Sequence, residues 1–397
     1  MNIFKSLNSL ASLSPIIAAS AAYGINMMAV GSLNTAVEYS IYIKLQSWAV
    51  YFGSISGLCI VDLKLSPNGK LYKSFNLLGI AIIATLIIFF LFFILGIILS
   101  ETQILLVSIT GASYSIFRSL LMVGLFLKIP IIPILMRCIR AFLLIFLACI
   151  LIAVLNKTYP FQFILCQSIS ALMPFLLYLP RIVKICFKSL KNTMLNIIQY
   201  DLIRIIRRNI SYLIDMIHAP LFYTLIAGIS AIKEYYLFIY LFGLLLPASF
   251  LLNQIIAERI RFRFGLTNLN SIIININRIN KYIIICIMTY RALYSLLIIC
   301  CIGSYLGIIN FNIGMVISIM IQISFICTSS LSSLIISKLG IELIDISINL
   351  TITLLLITVW YLGFIAPIAA IVASLIICTK YFIQQNIAYY KLNQYEI

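Results

Sequence analysis

Apolar residues in this chain neither alternate nor form narrow stripes; they come in long runs. A helix crossing a bilayer needs about 20 mostly apolar residues. Such runs fall near 11–33, 41–61, 76–99, 104–127, 134–155, 161–180, 209–230, 235–257, 282–302, 313–336, 343–361 and 363–381. The pattern predicts an all-α integral membrane protein with about twelve transmembrane helices. The breaks are short and carry turn or cap chemistry, as at Ser66-Pro67-Asn68-Gly69, Ser100-Glu101, Asn156-Lys157 and Gly303-Ser304. Only a turn around Gly363 separates the last two runs. Ala18-Ala19-Ser20 has the small residues of a signal cleavage site, yet the apolar run continues past it to Leu33. The first run therefore reads as a span and not as a removed signal.

Composition agrees. Of 397 residues, 63% are hydrophobic and 9% charged, with a mean hydropathy of +1.16. Soluble domains run near 45–50% apolar and about 25% charged, and disordered chains are low in hydrophobicity. Both classes are excluded.

The net charge of +17 would suggest nucleic acid in a soluble protein. Here it tests topology, because cytoplasmic loops of membrane proteins retain Lys and Arg. With the N-terminus inside, 22 of the 27 Lys and Arg residues fall on inside connections, Lys380 and Lys391 among them. Only Lys157 and Lys233 fall outside, while Lys44, Arg118 and Arg291 lie within spans. This asymmetry predicts both termini in the cytoplasm and removes the need for a nucleic-acid partner. The outside loops are short, and the larger polar pieces, 181–208 and 258–281, are inside and basic.

The ten cysteines include Cys59, Cys149, Cys166, Cys286, Cys300, Cys301, Cys327 and Cys378, all in apolar runs. No CxxC occurs, and with one histidine there is no zinc pattern. They read as small buried hydrophobes. No metal site and no cofactor are expected.

The halves of the chain echo each other once. Glu38-Tyr39-Ser40-Ile41-Tyr42-Ile43-Lys44-Leu45 opens the second span, and Glu234-Tyr235-Tyr236-Leu237-Phe238-Ile239-Tyr240-Leu241 opens the eighth. The shared pattern is E-Y-x-[IL]-[YF]-I-x-L, repeated after 196 residues with the longest basic connection between the copies. Six spans plus six of equal topology make a parallel repeat of the kind transporters use. The expected lobes are 1–192 and 193–397, joined by a basic connection at about 181–208 that rests on the anionic inner leaflet.

A weakly apolar first span, an acidic-Tyr-x-x-[YF] element opening the second, and a basic loop after it resemble the polysaccharide-exporter branch of the multidrug/oligosaccharidyl-lipid/polysaccharide (MOP) superfamily. More narrowly, the chain resembles the O-antigen (Wzx-type) flippases. Span count, division and length fit along the whole chain, while the local motif covers residues 31–61. The family usually has Gly after the aromatic residue, where this chain has Ser40 and Tyr236. The resemblance implies two six-helix bundles forming a V around a central cavity. It also implies alternating access that moves a lipid-linked glycan outward across the bacterial inner membrane.

An ionisable residue near a helix centre costs around 2.5–3.5 kcal/mol on insertion scales and usually faces a cavity. Arg118 lies about 4 Å from the centre of the fourth span at 1.5 Å per residue, among Ser108, Thr110, Ser113, Tyr114, Ser115 and Ser119. Arg291 is at the centre of the ninth span, with Tyr294 three residues on and on its face. Either could grip a phosphate, for which the planar guanidinium fork is suited, or pair with a carboxylate of a neighbouring helix. Lys44, three residues into the second span, joins this cationic set, though snorkelling to the outer face also accounts for it. Asp215 and His218, at i and i+3 on the seventh span, are the candidates for coupling or gating. They could exchange a proton, or Asp215 could neutralise Arg118 or Arg291. Pro220, directly after Ala219, predicts a kink there.

The reading that follows is a flippase for an undecaprenyl-diphosphate-linked oligosaccharide, the O-antigen repeat unit. It is a transporter with no catalytic residues, optionally proton- or cation-coupled. Its expected partners are the lipid-linked substrate, the bilayer and other O-antigen assembly proteins. A membrane O-antigen polymerase shares this composition, but such a glycosyltransferase would be expected to carry catalytic arginines in a large external loop. Here the outside loops hold two lysines and no arginine. A multidrug or cation antiporter of the same superfamily would be expected to hold acidic residues inside the first lobe. The acidic residues of that lobe are Glu38 and Asp62, at span edges, and Glu101, in the short break after the third run.

Overall fold

The computed structural model describes residues 2–56, 74–126, 131–155, 158–174, 176, 207, 210–211, 213–229, 276–328, 336, 341–363 and 366–394. Every regular element among them is an α-helix. In chain order these are α1 (Asn2–Ser32), α2 (Ala36–Ser56), α3 (Ser74–Ile98), α4 (Thr102–Phe126) and α5 (Ile131–Val154). Then come α6 (160–174), α7 (His218–Ile229), α8 (Ile276–Tyr305), α9 (Phe311–Thr328), α10 (Glu342–Tyr361) and α11 (Ala366–Asn393). Each falls on an expected span. The eighth span at 235–257, the repeat copy at Glu234–Leu241 and nearly all of the basic connection lie outside the described residues, as does the Arg118 side chain; Arg207 is exposed.

Among the described residues, four helices are long and apolar enough to cross a membrane: Ile134–Val154, Ile284–Tyr305, Leu343–Tyr361 and Ile368–Asn393. Shorter apolar runs include Ile16–Ser32, Thr102–Phe117 and Phe311–Ile326. Exposed Leu, Ile and Phe side chains crowd these surfaces, with Leu91, Phe142, Ile299 and Leu354 all more than half exposed. Lipid is a suitable solvent for such faces.

The chain divides into two compact units. One is Met1–Lys64 with Lys70–Asn209, and the other is Leu65–Gly69 with Ile210–Ile397.

In the first unit the Glu38-Tyr39 element has a local structural reason. The Glu38 backbone N–H donates to Thr35 Oγ1 at 3.1 Å, and the Glu38 carboxylate accepts from the Asn34 backbone N–H at 3.0 Å. Together they form a variant of the capping box, with the carboxylate reaching one residue further back, that starts α2. Tyr39 and Tyr42 follow, both fully buried, with ring centroids 6.0 Å apart. The motif thus starts a helix and seats its first turns.

α4 packs closely on α2. A Cβ added to Gly111 would lie 2.8 Å from Phe52 Cβ, and one added to Gly53 would lie 2.9 Å from the Gly111 carbonyl oxygen. Small residues that let backbones approach are a common means of packing helices in lipid. The polarity of α4 is largely used inside this unit. Ser115 bonds Thr85 of α3 and Thr110 bonds Ser168 of α6, each at 2.6 Å. Ser108 and Ser113 return their hydroxyls to the carbonyls four residues back.

In the second unit, Tyr290, Leu297, Ile321, Phe325 and Cys378 join α8, α9 and α11 around one core. Tyr290 stacks on Phe325 at 4.1 Å and donates to the Phe325 carbonyl at 3.1 Å. Gly363, with φ +58°, turns the chain between α10 and α11, the left-handed conformation that glycine adopts after a helix.

Candidate functional site

The second unit gathers its buried histidine and lysine with two carboxylates in one polar cluster. Its core comes from the segment before α7, from α10 and from α11. The helical stretch 213–216 is interrupted by a turn at Ile217 before α7 begins. Pro220, in the first turn of α7, cannot donate to the carbonyl of Met216, so the ladder is broken where the kink was expected. The break leaves Asp215 on one side of the turn and His218 on the other.

Both side chains face Lys380 of α11. Lys380 Nζ donates to Asp215 Oδ1 and lies 3.3 Å from His218 Nδ1. Asp215 and His218 are 3.7 Å apart, beyond hydrogen-bond length, with the ammonium bonded to each. The carboxylate's partner is therefore within its own unit.

Hydrogen bonding fits one tautomer of His218. Nε2 lies 3.1 Å from the Asn349 carbonyl oxygen and 3.0 Å from Thr353 Oγ1. A carbonyl only accepts, so Nε2 carries the proton, and Nδ1 turns its lone pair to an ammonium that only donates. The imidazole thereby orients Lys380.

A second carboxylate, Asp345 of α10, is held by neutral groups. Gln384 Nε2 donates to Oδ1 at 2.8 Å, Asn349 Nδ2 to Oδ2 at 3.4 Å, and Ser211 Oγ is bonded to Oδ2. Lys380 and Gln384 are i and i+4 on α11, and Asp345 and Asn349 are i and i+4 on α10, so each pair shares a helix face. Two acceptors in this group, Asn349 Oδ1 and Gln384 Oε1, are buried without a hydrogen-bond partner. Among the described residues, no group of three His, Cys, Asp or Glu side chains has the arrangement to hold a metal ion.

The other candidates are placed differently. Arg291 is exposed on α8, while Tyr294 bonds Thr379 at 2.8 Å and stacks on Phe382 at 5.2 Å. Lys44 is half-buried, in the first unit. That unit has its own polar chain: Tyr114 donates to Gln167, Gln167 Nε2 to Tyr42 Oη at 2.7 Å, and Tyr42 to Asn26 at 2.7 Å. Arg140 of α5 lies over the Tyr114 and Phe117 rings, 4.8 and 4.6 Å from their centroids, a cation–π arrangement.

Charge position along the sequence does not single out Lys380. It lies one residue inside the expected end of the last span and so counts among the cytoplasmic charges. In the structure α11 runs on to Asn393 and Lys380 is 1% exposed. Asp345 and Gln384 escape notice for the same reason, their nearness to span ends, and Asn349 because it carries no charge. The available signal is the four-residue spacing of polar side chains within apolar helices.

No protein family and no curated protein matches the sequence. Solved structures match the fold. The eukaryotic MATE transporter AtDTX14 superposes with a TM-score of 0.59 at 12% identity, over 98% of this chain and 96% of its own. An inward-facing multidrug resistance MATE family transporter of the MOP superfamily gives a TM-score of 0.48 at 11% identity, over 98% and 95%. A variant of the Vibrio cholerae MATE transporter VcmN gives 0.47 at 15% identity, over 98% of each chain. The likeness to AtDTX14 is one of fold: this chain is a multi-pass membrane protein, helical in every regular element of its described residues, with a fold similar to that of this MATE transporter.

Proposed function

We propose that this chain is a transporter of the MOP superfamily and not an enzyme, and that it turns a lipid-linked oligosaccharide over the bacterial inner membrane by alternating access. The observation that carries the transporter reading is the shared fold, which covers 98% of this chain and 96% of AtDTX14. The substrate follows from charge. Arg118, Arg291 and Lys44 are cations within expected spans. In the flippase reading these attract the diphosphate of an undecaprenyl-linked O-antigen unit, the glycan occupies aqueous space, and the lipid tail stays in the bilayer. No covalent chemistry is needed.

One observation favours a second reading, a multidrug or cation antiporter of the same superfamily. The second unit holds two half-buried carboxylates, Asp215 and Asp345, in one polar cluster, and carboxylates in membrane segments commonly carry coupling ions.

The test is a lipopolysaccharide gel of the host strain with the gene deleted, beside the complemented strain. Loss of every O-antigen-bearing band, restored on complementation, is the flippase outcome. Core plus a single repeat unit would mean export is intact and would overturn it in favour of the polymerase. An unchanged ladder with increased sensitivity to cationic drugs would favour the antiporter.

A further inference from the structure

A cluster this rich in acceptors calls for a cation. In the second unit the carboxylates of Asp215 and Asp345 lie within one hydrogen-bonded group. Asn349 and Gln384 are 0% and 3% exposed, yet Asn349 Oδ1 and Gln384 Oε1 have no hydrogen-bond partner. Buried polar atoms of native proteins are rarely left unpaired, and a bound ion is one way in which they are satisfied.

Lys380 supplies positive charge there from within the chain. Its Nζ takes the lone pairs of Asp215 Oδ1 and His218 Nδ1, the ones a free cation would need. The ammonium has little freedom to leave. Gln384, one turn along α11, is bonded to Asp345 at 2.8 Å, and the Tyr381 ring centroid is 4.8 Å from Nζ. The side chain is 2% exposed, so no water shell competes for it.

We propose that Lys380 is a built-in cation: its ammonium occupies a seat that a free monovalent cation would otherwise take. The seat is formed by Asp215 and His218, with the Asp345, Asn349 and Gln384 group beside it. Two consequences follow. The native protein's stability is indifferent to which monovalent cation surrounds it, and shortening Lys380 uncovers a site for a free one. A hard cation such as sodium would use the carboxylate and amide oxygens, while methylammonium would reproduce the N–H donors of the lost side chain. The inference is independent of the transported substrate, and its test reads stability alone.

The full chain, purified in detergent, is unfolded thermally in sodium, potassium, methylammonium and choline chlorides at equal ionic strength. Native protein is expected to give one Tm in all four. Lys380→Ala is expected to unfold earlier in choline and to regain about 2 °C when sodium or methylammonium reaches ten times its dissociation constant. Asp215→Asn combined with Lys380→Ala removes both charges and is expected to show no cation response. A sodium-specific rise in the native protein would overturn the proposal, as would a monodisperse Lys380→Ala protein with the same Tm in all four salts. Should Lys380→Ala be recovered folded only in sodium or methylammonium, that is rescue of the seat and supports it. Should it fail to fold in every salt while the double variant folds, no cation can replace the ammonium and the proposal falls.

Discussion

Lys380 donates a hydrogen bond to Asp215, a residue 165 positions earlier in the chain, and the cation of this pair is the more deeply buried partner. The Lys380 side chain is 2% exposed and that of Asp215 37%. Removing one partner of a buried pair strands the other, at a cost near 3–5 kcal/mol when the remaining charge is fully buried.

The two single variants should therefore differ. Asp215→Ala leaves an ammonium enclosed by protein and should cost about 3–5 kcal/mol. Lys380→Met leaves a carboxylate that water can reach and should cost less. Thermal unfolding of each in one buffer measures the difference. Equal losses would mean that Asp215 is as dry as its partner.

The Tyr42 hydroxyl links two buried amides, accepting from Gln167 and donating to Asn26. Tyr42→Phe keeps the ring against Phe163, whose centroid is 5.8 Å away, but leaves both amides short of a partner. A loss of about 1–3 kcal/mol is expected. Adding Gln167→Met should cost less than the sum of the single changes, because it removes one of the stranded groups. Strict additivity in a double-mutant cycle would show that the chain of bonds is not a unit.

Helix proximity makes two glycines unequal. Gly111→Ala puts a methyl group 2.8 Å from Phe52 Cβ, so α2 and α4 must separate; overpacking of this kind costs about 1–3 kcal/mol. A Cβ at Gly31 on α1 meets nothing within 4 Å, so Gly31→Ala should be neutral or stabilise by up to about 1 kcal/mol through helix propensity. Detergent-solubilised yield and Tm of the two variants check the contrast.

Arg118 and Arg291 are tested together through function. If they hold the phosphates of the substrate, Arg118→Ala with Arg291→Ala should abolish O-antigen in a complementation assay at normal protein level. The corresponding double lysine variant should retain part of it, since lysine keeps the charge and loses the two-pronged fork. Full O-antigen from the double alanine variant would end the cationic reading.

Several features of the fold were readable because they are local. An apolar run is a property of consecutive residues, and in lipid such a run satisfies its backbone as a helix; α3 at Ser74–Ile98 and α10 at Glu342–Tyr361 lie within two residues of their expected spans. Gly363 and Pro220 were readable for the same reason, since a left-handed turn and a missing N–H depend on one residue. Asp215 and His218 stood out as ionisable groups in an apolar stretch.

Helix length beyond the lipid-like run was not local. α11 continues to Asn393, because its polar last turns are supported by packing that hydropathy does not record. Partner choice was least readable of all. A lysine at position 380 looks the same in sequence whether it marks a cytoplasmic edge or sits bonded to Asp215. The same composition that makes the chain a membrane protein leaves few charged groups, 9% of its residues. Which of them meet is set by helix rotation and by contacts across 165 residues of chain, where the cost of an unpaired charge in a dry interior selects the partner.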